Sequence, residues 1–85
     1  RPLAVSREAR FTWGLLRLDY SQAEGSITQA ALWSDGLEAD FLSQVPGALQ
    51  GCPRQPAAVR ARLMALKGAE RTLVEDILTL LMEEA

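Results

Sequence analysis

Eighty-five residues, 48% hydrophobic and 24% charged, make one small domain with a single modest core. A formal net charge of −2 gives no concentrated basic face, so no nucleic-acid partner is expected. No apolar run nears the roughly 20 residues that span a bilayer, so no membrane role is expected, and the absence of histidine removes Ser–His and Cys–His nucleophile pairs and histidine metal ligation.

The chain opens RPLAVSREAR, with no sustained apolar block and no secretory signal pattern. Because it lacks an initiator Met, a fragment or processed product is expected. Strand character begins at about Arg10. From Phe11 to Tyr20 apolar residues nearly alternate, with one phase error: Phe11 and Trp13 share one parity, and Leu16, Leu18 and Tyr20 the other. A β-bulge at Gly14–Leu15 brings all five to one face and leaves Thr12, Arg17 and Asp19 opposite. If Gly14 is instead a corner, the sheet is a three-stranded meander.

SQAEGS, residues 21–26, is a polar reversal with Gly25 where positive φ is needed. ITQAALW, Ile27 to Trp33, is the returning strand, and Ser34-Asp35-Gly36 ends it. Strands therefore occupy about 10–34, and a bare hairpin of this kind needs a covering layer.

Helices follow. A short one is expected over about 38–45, with Phe41, Leu42 and Val45 at helical spacing and Pro46–Gly47 breaking it. A second covers about 56–67, opening on Pro56 and carrying Val59, Leu63 and Leu66, with Gly68 as its stop. A third covers about 70–84, where Leu73, Ile77 and Leu81 anchor a broad apolar stripe. Its charges oppose the helix dipole, Arg71 near the start and Glu83–Glu84 at the end, so tertiary packing must hold it. Strands first and helices after predict a single α+β domain over residues 1–85. It has a small antiparallel two- to three-stranded sheet, three helices on one face, and the other face open.

Chemistry-bearing patterns are sparse. There is no glycine-rich phosphate loop and no acidic metal loop, so no catalytic, cofactor-binding or metal residue is assigned. Asp35, Glu38 and Asp40 cluster at a helix start, as capping groups do. Arg54, Arg60, Arg62, Lys67 and Arg71 read as a solvated helix face, since Arg60 and Arg62 do not share one side. Cys52 is the only cysteine, which fits a reducing compartment; it reads as a small buried apolar residue. Trp13 falls in the core row. If Ala30 and Leu32 face the core, Trp33 points outward with Gln29 and Ala31, where such a ring suits docking; the other reading is packing at the sheet edge.

ARFTWGLLRLDYSQAEGSITQAALWSDGL, Ala9 to Leu37, followed by LQGCP, resembles the C-terminal accessory domain of lipoate–protein ligases. The matching positions are Arg10, Phe11, Trp13 and Gly14, then Gly25 and Ile27, then Asp35, then Leu49 and Gly51. At the hairpin end this chain has Ser34-Asp35-Gly36-Leu37 where many relatives have Gly-Asp followed by aromatics. The resemblance implies an ATP-dependent ligase that adenylates lipoate and transfers the lipoyl group to a lysine on lipoyl-acceptor proteins. It implies that the reacting groups, with ATP, Mg and lipoate, belong to a separate catalytic domain or subunit. The small domain would support adenylation, close over the active site and move between states, in the cytoplasm. Trp33, Arg17 and Asp35 are the candidate interface residues. Two alternatives stand beside this reading: a sulfur acceptor using Cys52, and a generic docking module using the open sheet face.

Overall fold

A computed structural model describes residues 3–84. Three strands, β1 (Val5–Phe11), β2 (Gly14–Ala23) and β3 (Ser26–Ser34), form one antiparallel sheet in the order β1-β2-β3. Four helical segments follow: α1 (Ala39–Leu42), α2 (Val45–Leu49), α3 (Pro56–Met64) and α4 (Arg71–Leu81). The helices cover one sheet face, α4 against β1 and α3, and α2 against β3 and α3. This is the expected α+β architecture, in its meander form.

Gly14 is the corner. Phe11 pairs with Gly14, leaving Thr12 and Trp13 as a two-residue turn, and Gly14 takes φ +141°. The phase error between Trp13 and Leu16 is therefore a chain reversal, and the bulge expected at Gly14–Leu15 does not form. Across this turn Ala9 faces Leu16, so odd residues of β1 and even residues of β2 share the covered face. The first strand begins at Val5, earlier than expected. Its covered row contains Arg7 and Ala9 between Val5 and Phe11, and that weak apolar alternation hides the strand.

A register shift does occur, further on. Ser21 pairs with Gln29 and Gln22 with Ile27, which leaves Thr28 as the extra residue of β3. That insertion lets Ile27 and Ala30, three apart, both face the helices. Glu24 and Gly25 join β2 to β3 with φ of 52° and 79°, the paired positive values of a type I′ hairpin turn. The segment after α2 then runs along the β3 edge. Gly51 N–H donates to Ile27 O at 2.7 Å, and Ile27 N–H to Cys52 O at 2.8 Å.

The segment expected as one helix over 38–45 divides into α1 and α2. Pro46 falls in the first turn of α2, where its missing N–H costs nothing, so it starts a helix rather than only ending one. Leu16, Leu18, Tyr20, Ile27, Phe41, Val45, Leu49, Val59, Leu63, Val74, Ile77 and Leu81 are buried in one core. Each such aliphatic side chain contributes roughly 1.5–3 kcal/mol by leaving water. No polar or charged residue is buried among the described residues.

The unfavourable charge pattern of α4 is offset from outside. Arg54 Nη1 donates to Leu81 O at 2.8 Å, placing a cation at the helix C-terminus. The same guanidinium lies 5.8 Å from the Tyr20 ring centroid and bonds Gln22 Oε1 at 3.0 Å.

Candidate functional site

The uncovered face of the sheet is built from alternate residues of each strand. Register places Glu8 beside Arg17 and Arg17 beside Trp33 in one row, with Ser6, Asp19 and Ala31 in the next. The Trp33 ring is 56% exposed, so the outward reading is the correct one. Arg17 donates from Nε to Asp19 Oδ1 at 3.2 Å and from Nη2 to Asp19 Oδ2 at 3.3 Å. Ser6 Oγ donates to Asp19 Oδ1 at 2.6 Å. The Ser6 hydroxyl and then the Arg17 guanidinium hold the Asp19 carboxyl below its usual range. An open groove of about 520 Å³ runs between Glu8, Arg17, Asp19, Ala31 and Trp33. Arg17 is paired with Asp19 and Glu8 stands beside Arg17, so the groove carries one cation and two carboxylates, a slight negative excess.

Arg17 and Trp33 thus sit together, while Asp35 is engaged with its own chain. Asp35 Oδ1 accepts Leu15 N–H at 2.8 Å, Ser34 Oγ donates to Leu15 O at 2.7 Å, and Gly36 N–H donates to Ser34 Oγ at 3.0 Å. These bonds lock the β1–β2 corner against the end of β3. Trp13 buttresses the same corner: its Nε1–H donates to Asp76 Oδ2 at 2.8 Å, and its ring stacks on Phe11 with centroids 5.5 Å apart. The ring is half-buried against the core from the turn between β1 and β2, rather than set in the strand row with Leu16, Leu18 and Tyr20 where the sequence pattern put it.

One residue escaped the sequence reading. Leu37 is 94% exposed in the loop between β3 and α1. An isolated Leu after a Gly carries no periodicity, so only the coordinates reveal it.

The basic residues between 54 and 71 are mostly bound within the fold. Arg60 grips Glu75 in a two-pronged pair at 2.6 and 3.1 Å, which holds the Glu75 carboxyl below its usual range. Arg62 donates to Ala48 O and Gln50 O, each at 3.3 Å. No group of three His, Cys, Asp or Glu is placed to hold a metal among the described residues.

Cys52 is fully buried, and burial pushes its thiol up from the ordinary value. A protonated thiol without solvent access is a poor sulfur carrier, which removes the basis of the sulfur-acceptor alternative. Native protein mixed with an aromatic disulfide reagent should react at Cys52 at least about tenfold more slowly than the denatured chain. Equal rates would reinstate that alternative. No helix among the described residues is long and apolar enough to cross a membrane.

The geometry defines a small α+β domain with a closed core, one uncovered sheet face, and a hydrogen-bonded corner where the β1–β2 turn meets the end of β3. The family model for the C-terminus of bacterial lipoate protein ligases matches residues 3–81, and the chain belongs to that family as a C-terminal accessory domain. The crystal structure of P. falciparum LipL1 in complex with lipoate has the same fold, with a TM-score of 0.79 at 15% sequence identity. The similarity covers 98% of this chain and 26% of that one, so the chain spans about a quarter of the length of that protein.

Proposed function

We propose that this domain supports the ATP-dependent adenylation of lipoate by a partner catalytic domain or subunit, in the cytoplasm. The supporting observation is the family match over residues 3–81. The catalytic partner holds ATP, Mg and lipoate and joins the lipoyl carboxyl to AMP, releasing pyrophosphate. A lysine amine of a lipoyl-acceptor protein then displaces AMP and forms the amide. The acyl–adenylate between these steps is prone to hydrolysis, so a cover that excludes water protects it. A small domain with a closed core moves as a rigid body and suits that task. Arg17 and Trp33 lie on the face offered to the partner, and Asp35 keeps the adjoining corner in shape.

The test combines a matching catalytic domain, lipoate and ATP–Mg with and without this chain, and follows lipoyl-AMP. Added chain should raise its formation at least about tenfold, the scale on which positioning and water exclusion act. A rate independent of the chain would overturn the reading.

A further inference from the structure

We infer that the corner carrying Trp33 and Leu37 is the docking surface for the catalytic domain of the ligase; this rests on the function proposed above. Among the described residues the large hydrophobic side chains left exposed are Trp33, Leu37 and Met64, at 56%, 94% and 41%. Two of the three fall within one strand end and its loop. Scattered single apolar residues need no explanation, but a cluster bordered by grooves marks an interaction site. Trp33 borders a second groove of about 290 Å³ with Leu32, Ala39, Leu42 and Pro46. Leu37 borders a third with Ala39, Phe41 and Gly68. Ala39 lines both; Ser34, Gly36 and Ser43 complete the second and Glu38 and Asp40 the third, so Trp33 and Leu37 are apolar knobs set among polar and acidic side chains.

This surface is held ready. Asp35 and Ser34 tie the loop to Leu15, Gly36 N–H donates to Ser34 Oγ, and a Cβ at Gly36 would lie 3.1 Å from Trp13 Cε3. Leu37 is thus displayed from a fixed turn, which lowers the ordering cost of association. Glu8, Arg17 and Asp19, two carboxylates and one cation, form a polar rim beside Trp33.

The occupant follows from size. The chain covers 26% of the LipL1 chain, so most of a ligase of that kind lies outside it. A free-standing dimer needs about 600–1,000 Å² from each partner, more than two exposed side chains supply at roughly 150–250 Å² each. A domain tethered to its catalytic partner, or held at high local concentration, docks through fewer anchors. A compact two-residue patch matches the tethered case.

The experiment titrates a matching catalytic domain into isotope-labelled chain and reads affinity by NMR and calorimetry, with lipoyl-AMP formation measured in parallel. Leu37→Asp and Trp33→Ala should each weaken binding at least about tenfold. Both should leave the thermal midpoint within a few degrees, because the side chains stand in solvent, and Met64→Asp should bind as the unaltered chain does. Wild-type affinity in both variants, with stimulation of adenylation intact, overturns this surface and leaves the proposed function standing. No binding and no stimulation by the unaltered chain overturns both. If sedimentation shows that the variants abolish self-association but spare catalytic-domain binding, the occupant is a second copy and the inference falls.

Discussion

Gly14→Ala should lower the stability of the domain by about 2–4 kcal/mol, which for a chain this size moves the thermal midpoint down by roughly 10–25 °C. Two effects combine. The φ of +141° lies where an L side chain is strained, and a Cβ would come within 2.7 Å of Asp35 Oδ1 and 3.2 Å of the Gly36 backbone. Moving Asp35 away also endangers its bond to Leu15 N–H, worth about 1 kcal/mol. Other glycines separate the causes. Gly25→Ala meets positive φ with no atom within 4 Å, so it should show the conformational part alone, about 1–2 kcal/mol. Gly47→Ala sits inside α2 with nothing within 4 Å and should stabilise by roughly 0.5–1 kcal/mol. Against a total stability of about 4–13 kcal/mol for a domain of this length, only the first change threatens folding. Equal midpoints for the Gly14 and Gly25 variants would show that the close packing of corner and loop carries no energy.

What sequence revealed of this fold followed the strength of local signals. Phe11, Trp13, Leu16, Leu18 and Tyr20 are apolar enough to mark the sheet, and Leu73, Ile77 and Leu81 the last helix. The parity change between Trp13 and Leu16 was visible, yet a bulge and a tight turn produce the same pattern over so short a distance. The choice depends on whether a strand precedes, and β1 was masked by Arg7 and Ala9 on its covered row. The bulge at Thr28 left its own trace in the three-residue step from Ile27 to Ala30, a small residue giving little contrast. The support that Arg54 gives to α4 is a contact between distant segments, and nothing local announces it. In the candidate site, strand alternation placed Arg17 on the outward face, while for Trp33 it left outward display and sheet-edge packing both open, and the structure has the first. Asp35 was seen as notable but its bond to Leu15 N–H was not. Leu37 was missed because exposure in a loop is a tertiary property.

Trp13→Ala should cost about 2–3 kcal/mol, less than the 3–5 kcal/mol of a fully buried Trp because the ring is only partly buried. The loss removes the stack on Phe11, the hydrogen bond to Asp76 and the ring atom against which Gly36 packs. Trp13→Phe keeps an aromatic body but drops the Nε1–H donor, so it should cost about 1 kcal/mol. A double-mutant cycle with Asp76→Ala isolates that bond, since the two side chains are 63 residues apart in sequence yet in direct contact. The function depends on the same ring at one remove. Trp13 supports the loop that displays Leu37, so Trp13→Ala should weaken catalytic-domain docking, and Trp13→Phe should preserve most of it. A ring presented to a ligand would give the opposite result, with adenylation lost in Trp13→Ala and the thermal midpoint unchanged. Measuring both properties on the same variants therefore decides whether Trp13 acts through the fold or at the active site, and its bond to Asp76 favours the fold.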